Sequence, residues 1–370
     1  MASETIQTIA RLTPLADVLA LIDHEVSLVA AGKVGSGVAI GSILAADVTA
    51  PTLPKVPIAI LDGWALAAYT TQGAGGYSPV LLPAMPQRVE AGQPMPPGTD
   101  CVAPVDVLNI ASGRAEVLNT INPGDGVLPV GGDCDGSTPL RRAGEVMRLV
   151  DGAVVRAAGV SYVSALAPRI IVLPLREDLV IDSIVGLIGS DMVGRGALPE
   201  LADCGCKLTP ALAMENADAI VGVGGTGSGR NDSSVQTLAG AGRVAVHGIA
   251  LTPGETAAFG FAAEKPVLLL PGRLDAALAV WLTVGRHMLQ KLSACSMAAP
   301  TETVTLSRKV ASTIGLAEVI PLRRTGDMAE PLAAKYLSLT ALARSDGWIL
   351  VPADSEGYAT GSQVEFRPWP

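Results

Sequence analysis

Chain breakers set the limits here. The chain carries 41 glycines and 27 prolines in 370 residues, with no G-X-Y period. Such a chain cannot be a run of long helices; it must turn often and build itself from short elements. What lies between the breakers suffices for more than one core, since 49% of residues are hydrophobic. Charged residues make up 16%, against roughly 25% in average globular chains, which argues against disorder. The length suggests roughly two to four domains.

A net charge of −9 argues against a nucleic-acid partner, because neutralising phosphates needs clustered Lys and Arg. Membrane insertion is not expected either. Ile170–Leu173 and Val267–Leu270 are strand-length runs, and nothing approaches the ~18 apolar residues of a spanning helix. Met1-Ala-Ser-Glu-Thr-Ile6 has no basic stretch leading into an apolar one, so no secretory signal is visible. Cys101, Cys134, Cys204, Cys206 and Cys295 form an odd, scattered set, which is no disulfide framework. Cys204-Gly-Cys206 lacks metal-site spacing, and His24, His247 and His287 are isolated. A reduced, cytoplasmic protein is the expectation.

Leu15, Val18, Leu19 and Ile22 have helical spacing within Leu12–Ala31, with Thr13 as N-cap and Pro14 at the first helical position. A short helix is expected around Ile40–Ala46, then a proline-punctuated loop, Pro51–Pro57. From there to Gly132 come short apolar runs between Gly, Pro, Asn and Asp, a turn-rich β insert. Ala111-Ser-Gly-Arg114 and Val150-Asp-Gly-Ala153 read as hairpin turns.

The pattern changes at Pro168. Arg169–Leu173 reads as a buried strand, followed by a helix around Val180–Gly189. Asp218–Val223 is a second strand that runs into Gly222–Gly229 and a helix with Asp232 as N-cap. Val244–Leu251 and Pro266–Leu270 read as strands, and Leu274–Leu292 as a long apolar helix. Alternating strands and helices predict an α/β layer with a mostly parallel sheet, which binds ligands at the carboxyl ends of its strands. Beyond Met297, Glu302–Lys309, Trp348–Pro352 and Gln363–Phe366 read as strands and Leu337–Ala343 as a helical turn. The organisation expected is a helical linking domain at 1–54 and 133–167, a β-rich insert at 55–132, an α/β domain at 168–296 and a C-terminal β domain at 297–370.

Gly222-Val-Gly-Gly-Thr-Gly-Ser-Gly229 is the clearest chemical signal. Glycines let backbone N–H groups approach an anion, and the following helix adds a positive dipole end. The loop fits neither the dinucleotide fingerprint nor the P-loop. A tight turn, a phosphate or pterin-phosphate cradle and a dinucleotide site all stay open on spacing alone. Asp62, in Leu61-Asp-Gly-Trp-Ala65, is either a turn residue or an acid that holds metal or orients water. Glu177, Asp178, Asp133, Asp135 and Asp232 are the other candidate acids, each also readable as a turn acid or cap. Pro271-Gly-Arg273 puts a cation beside the ligand end of a strand.

Taken in order, these segments resemble the molybdopterin molybdenumtransferases, the MoeA and gephyrin E-domain type, over about Leu12 to Pro370. Ala59-Ile-Leu-Asp-Gly-Trp-Ala65 is similar to the family's Ser-x-Met-Asp-Gly-Tyr-Ala. Ala91-Gly-Gln-Pro-Met-Pro96 with Gly98-Thr-Asp-Cys-Val102 resembles Thr-Gly-x-x-x-Pro with Gly-x-Asp-x-Val. Gly224-Gly-Thr-Gly-Ser-Gly-Arg-Asn-Asp232 resembles Gly-Gly-x-Ser-x-Gly-x-x-Asp. Thr252-Pro-Gly-Glu-Thr-Ala-Ala-Phe-Gly260, Leu270-Pro-Gly-Arg-Leu274 and Leu342-Ala-Arg-Ser-Asp-Gly347 echo three further motifs.

The resemblance implies an elongated multi-domain architecture and insertion of molybdate into adenylated molybdopterin, or else a divergent member that binds, carries or scaffolds the cofactor. It puts Asp62, Asp133, Asp178 and Asp232 in the catalytic role. Asp62, Glu177 and Asp178 would hold Mg²⁺ or another divalent metal. The pterin phosphate would lie on Gly224, Gly225, Thr226, Gly227, Ser228 and Gly229 with Pro271, Gly272 and Arg273, and Arg230 as an alternative cation. A homodimer is implied, Asp62 of one subunit approaching the other's molybdopterin domain, with a molybdoenzyme or another cofactor-biosynthesis protein as further partner. Departures are clear: Pro174-Leu-Arg-Glu-Asp-Leu179 replaces the family's Ser-Thr-Gly-Asp-Glu-Leu, and only Val130-Gly-Gly-Asp133 remains of Arg-x-x-Gly-Glu-Asp. Ala91, Gly227, Thr252 and Arg273 stand where the family has Thr, Ser, Lys and Asn.

Overall fold

Arg169–Pro174 and Lys265–Leu270 bury almost all their residues because both faces of their sheet are covered, as parallel sheets require. Alternate side chains enter different cores. Ile170, Val172, Val221, Leu268 and Leu270 pack with Ile181, Ile184, Ile188 and Met192 on one face. Ile171, Leu173, Ile220 and Leu269 pack with Leu208, Leu212, Val235 and Leu238 on the other. In this computed structural model, which describes residues 7–202, 207–295 and 301–370, the sheet has six strands. Their order is Leu198–Leu201, Arg169–Pro174, Ala219–Val223, Lys265–Leu270, Ala258–Ala262, Arg243–His247. The first four run parallel, Ala258–Ala262 runs against them, and Arg243–His247 is antiparallel to Ala258–Ala262, so the expected mostly parallel α/β layer is present. Cys204-Gly-Cys206 lies outside the described residues.

The chain leaves Arg169–Pro174 toward one edge, to Leu198–Leu201, while Ala219–Val223 lies on its other side. Divergence of this kind opens a crevice at the carboxyl ends of the two central strands.

Two compact units make up the chain: Met1–Ala45, Gly144–Gly152 and Tyr162–Pro370 form one, Ala46–Ala143 and Ala153–Ser161 the other. The first also holds a seven-stranded sheet in which Ala317–Thr325 pairs with Ile249–Thr252, Met328–Pro331 and Gly347–Val351. Its core is Val304, Leu306, Ile320, Leu322, Ile349 and Val364. The second unit consists of short strands: Gly63–Leu66 lies between Gln87–Val89 and Cys101–Pro104. Leu108–Ala111 pairs with Arg114–Val117 through Ser112 and Gly113, both at positive φ, the two-residue hairpin loop expected there. No described helix is long and apolar enough to cross a membrane.

Several local expectations are overturned by tertiary partners. Thr13 is not an N-cap; its N–H bonds Gly248 O, Thr13–Pro14 runs beside Ile249–Ala250, and the helix spans Leu15–Glu25. Ile40–Ala46 is no helix, because the strand Ile43–Leu44 forms and Leu44 and Ala45 donate to Glu145 O and Ser164 O. Val150-Asp-Gly-Ala153 is no hairpin: Asp151 accepts the Arg148 N–H and its guanidinium at the start of a helix, Leu149–Ala157. Val244–Leu251 splits at Gly248 into strands of two sheets. Gly248 turns at φ +97, and a Cβ there would lie 2.5 Å from Ile9 Cγ2.

The expected long helix is present with one π turn, Trp281–Gly285, between Leu274–Val280 and Arg286–Ser293. Gly285 is required because Trp281 Cε3 lies 2.2 Å from where its Cβ would be. Asp191 anchors this turn, accepting Trp281 Nε1 at 2.8 Å and Arg286 Nε and Nη2 at 2.8 and 2.7 Å, with Arg195 3.2 Å away. Burial acts to raise the Asp191 carboxyl, but Arg286, then Arg195 and Trp281, hold it below its ordinary range.

Candidate functional site: the glycine loop at the sheet crevice

Three loops meet where the parallel strands end. Leu175–Asp178 follows the first central strand, Gly224–Gly229 the second, and Pro271–Arg273 the strand Lys265–Leu270. Their convergence shows at Gly272, where a Cβ would lie 3.0 Å from Arg176 Nη2 and 3.6 Å from Gly224 Cα. Arg176 is therefore a cation of this site that motif reading passed over, because its segment departs from the family motif and only Glu177 and Asp178 were singled out there.

The glycine loop is held from behind through its carbonyls. Gly225 O accepts Ser234 N–H at 3.2 Å and Ser234 Oγ at 2.7 Å. Gln7 Nε2 donates to Gly225 O at 2.8 Å and Gly227 O at 2.6 Å. Thr226 is buried, pairs its hydroxyl with Thr256 at 3.0 Å and offers its carbonyl to His247 Nε2 at 3.3 Å. Gly224 and Gly225 lie at φ +103 and +71, where a side chain is strained. Beside the loop opens a cleft of about 480 Å³ whose lining includes Leu175, Lys207, Gly225, Asn231, Ser233 and Thr237.

The candidate acids are mostly bound to backbone. Asp232 does not cap the helix Ser234–Ala241, which has Ser233 at its N-cap; its Oδ2 accepts Gly229 N–H at 3.2 Å and closes the loop. Asp178 caps the helix Leu179–Gly194 by accepting Val180 N–H at 2.7 Å, next to exposed Glu177. In the other unit, exposed Asp62 accepts Ala91 N–H at 2.9 Å, and Asp133 is exposed. Asp135 takes Thr138 and Ser137 N–H and hydroxyl groups, which hold its carboxyl well below the usual range. Among the described residues no group of three His, Cys, Asp or Glu is placed to hold a metal ion. Glu177 and Asp178 thus find no third ligand among the described residues of their unit.

Arg273 reaches the ligand end as expected but is not a free cation. It forks onto buried Asp275, with Nη2–Oδ2 at 2.6 Å, and lies 5.0 Å from the Tyr336 ring. Thr252, in the family's lysine position, donates to Glu255 at 2.5 Å. Glu255 and buried Glu318 line a small cleft of about 230 Å³ with Lys335.

Residues 12–159 match the model of the MoeA N-terminal region (domain I and II), residues 198–291 that of a "Probable molybdopterin binding domain", and residues 303–369 that of the MoeA C-terminal region (domain IV). The chain belongs to the MoeA family. It is a divergent member. A Methanocaldococcus jannaschii chain provisionally named a molybdopterin biosynthesis protein is 26% identical, covering 88% of this chain and 89% of that one. A Mycobacterium tuberculosis protein named molybdopterin molybdenumtransferase 2 is 23% identical, over 64% of this chain and 69% of its own. The crystal structure of a molybdopterin biosynthesis MoeA protein from Pyrococcus horikoshii superposes with TM-score 0.65 at 22% identity, covering 97% of this chain and 100% of that one. The fold is MoeA-like. The molybdopterin-domain match begins at Leu198, past Pro174–Leu179, where the family motif is replaced.

Proposed function

We propose that this chain acts in molybdenum cofactor biosynthesis by binding molybdopterin, with the pterin phosphate on Gly224–Gly229. The observation that carries this reading is the glycine loop itself. It sits at the sheet crevice, its carbonyls are tied back by Gln7 and Ser234, and the helix Ser234–Ala241 begins behind it. An anion there meets backbone N–H groups and a positive dipole end, and the molybdopterin-domain match covers the same residues.

Insertion of molybdate into adenylated molybdopterin is the reaction this binding would serve, with Asp62 brought from the second subunit of a homodimer. A carrier or scaffold role, delivering to a molybdoenzyme or another cofactor-biosynthesis protein, is favoured by one observation. Where the family has lysine, Thr252 is bonded to Glu255 in a cleft shared with Glu318, a poor setting for an oxyanion such as molybdate. Molybdate-dependent hydrolysis of adenylated molybdopterin by the purified protein separates the two: turnover supports insertion, tight binding without turnover supports the carrier. Absence of molybdopterin binding removes both.

A further inference from the structure

We propose that Gln7 is a positioning residue of the molybdopterin site, its amide setting the direction of the peptide groups in the glycine loop. The inference rests on the binding reading above. Gln7 Nε2 reaches across 218 and 220 residues to Gly225 O and Gly227 O, committing both of its N–H donors. In a trans peptide the C=O and the N–H of the next residue point in opposite directions. Tying the carbonyls of 225 and 227 to one side therefore turns the N–H groups of Thr226 and Ser228 to the other. Two N–H groups two positions apart on a common side make a nest for an oxyanion. Ser234, which also bonds Gly225 O, fixes the first of these peptides but not the second, so the direction of the Ser228 N–H depends on Gln7.

Packing alone does not explain an amide here. Gln7 is 6% exposed, and its Oε1 has no hydrogen-bond partner among the described residues. A buried amide oxygen without a partner opposes folding, so an apolar side chain of equal length would fill the space with less penalty. What it would not supply is the pair of donors.

Gln7→Met in the full chain keeps the length and removes the donors. Amide hydrogen exchange over residues 225–229 and calorimetric titrations with molybdopterin and with its dephosphorylated form test the proposal. In the variant, exchange of the Ser228 N–H in the molybdopterin-bound protein should rise at least tenfold and molybdopterin affinity fall about tenfold. Affinity for the dephosphorylated form should stay at the parent's value, because a phosphate cradle touches only the phosphate. A merely structural role would lower both affinities together, and that result overturns the proposal. So does unchanged exchange, or unchanged molybdopterin affinity, in folded Gln7→Met. Gln7→Asn, too short to span both carbonyls, serves should the methionine variant not fold, and must give the same pattern. If the parent binds no molybdopterin, the binding reading fails and takes the cradle with it; if the parent binds and the variants bind equally, only the role of Gln7 falls.

Discussion

Gly227→Val probes the loop most directly. Gly227 is not among the glycines at positive φ, so valine brings no backbone strain and its effect is steric. The new Cβ would lie 2.8 Å from Asp232 Oδ2, and the carboxylate must swing off the Gly229 N–H. Losing that charge-assisted bond on a half-buried side chain costs about 1.5 kcal/mol of folding stability. If the phosphate lies on this loop as proposed, the added bulk should hinder its approach and weaken molybdopterin binding by at least about tenfold, or about 1.4 kcal/mol. Calorimetric titration gives the affinity and thermal melting confirms the fold. Asp232→Ala is the matched control, since it removes the same bond without adding bulk. Affinity lost by Gly227→Val beyond that of Asp232→Ala reads the blocked approach. If folded Gly227→Val bound molybdopterin as tightly as the parent, the loop would be a turn and the phosphate would lie elsewhere.

Asp191→Asn should destabilise the protein by about 3–5 kcal/mol at pH 7, because Arg286 and Arg195 lose a buried partner. Since the folded carboxyl titrates below its ordinary range, its contribution is complete above about pH 4 and is lost as pH falls through the lower folded value; melts from pH 7 to 3 should show a shallower acid loss in the variant. Asp62→Ala should leave folding and molybdopterin affinity nearly intact while abolishing any turnover, as loss of a group acting in the transition state does; unchanged turnover would leave Asp62 only as the acceptor of Ala91 N–H. Sedimentation should report a dimer at micromolar concentration, and a 37.6 kDa species would count against any site shared between subunits. Neutralising Arg273 with Gln should weaken molybdopterin binding less than Gly227→Val, because its fork is already taken by Asp275.

Much of the architecture is legible in the chain because burial on two faces leaves a continuous apolar run, as in Arg169–Leu173 and Pro266–Leu270, and because Ser112-Gly113 carries its own turn geometry. The candidate site was half legible. Its glycines announce close backbone approach whatever surrounds them, whereas the role of an acid depends on which N–H it meets. By their bonds Asp178 caps a helix, Asp232 closes its own loop and Asp62 accepts an N–H 29 residues away, though all three look alike in sequence.

The sequence by itself determined where the most continuously apolar strands and the breakers fall, since hydrophobic period and glycine are local properties. It also carried the order of motifs that marks a MoeA-family chain. Only the tertiary structure decided that Val244–Leu251 divides between two sheets at Gly248, that Val150–Ala153 is helical, that Arg176 lies beside Gly272 and that Gln7 bonds the glycine loop. The physical reason is the same each time. These outcomes depend on hydrogen bonds and contacts between residues far apart in sequence, up to 220 positions in the case of Gln7 and Gly227, and local pattern holds no information about a partner that distant.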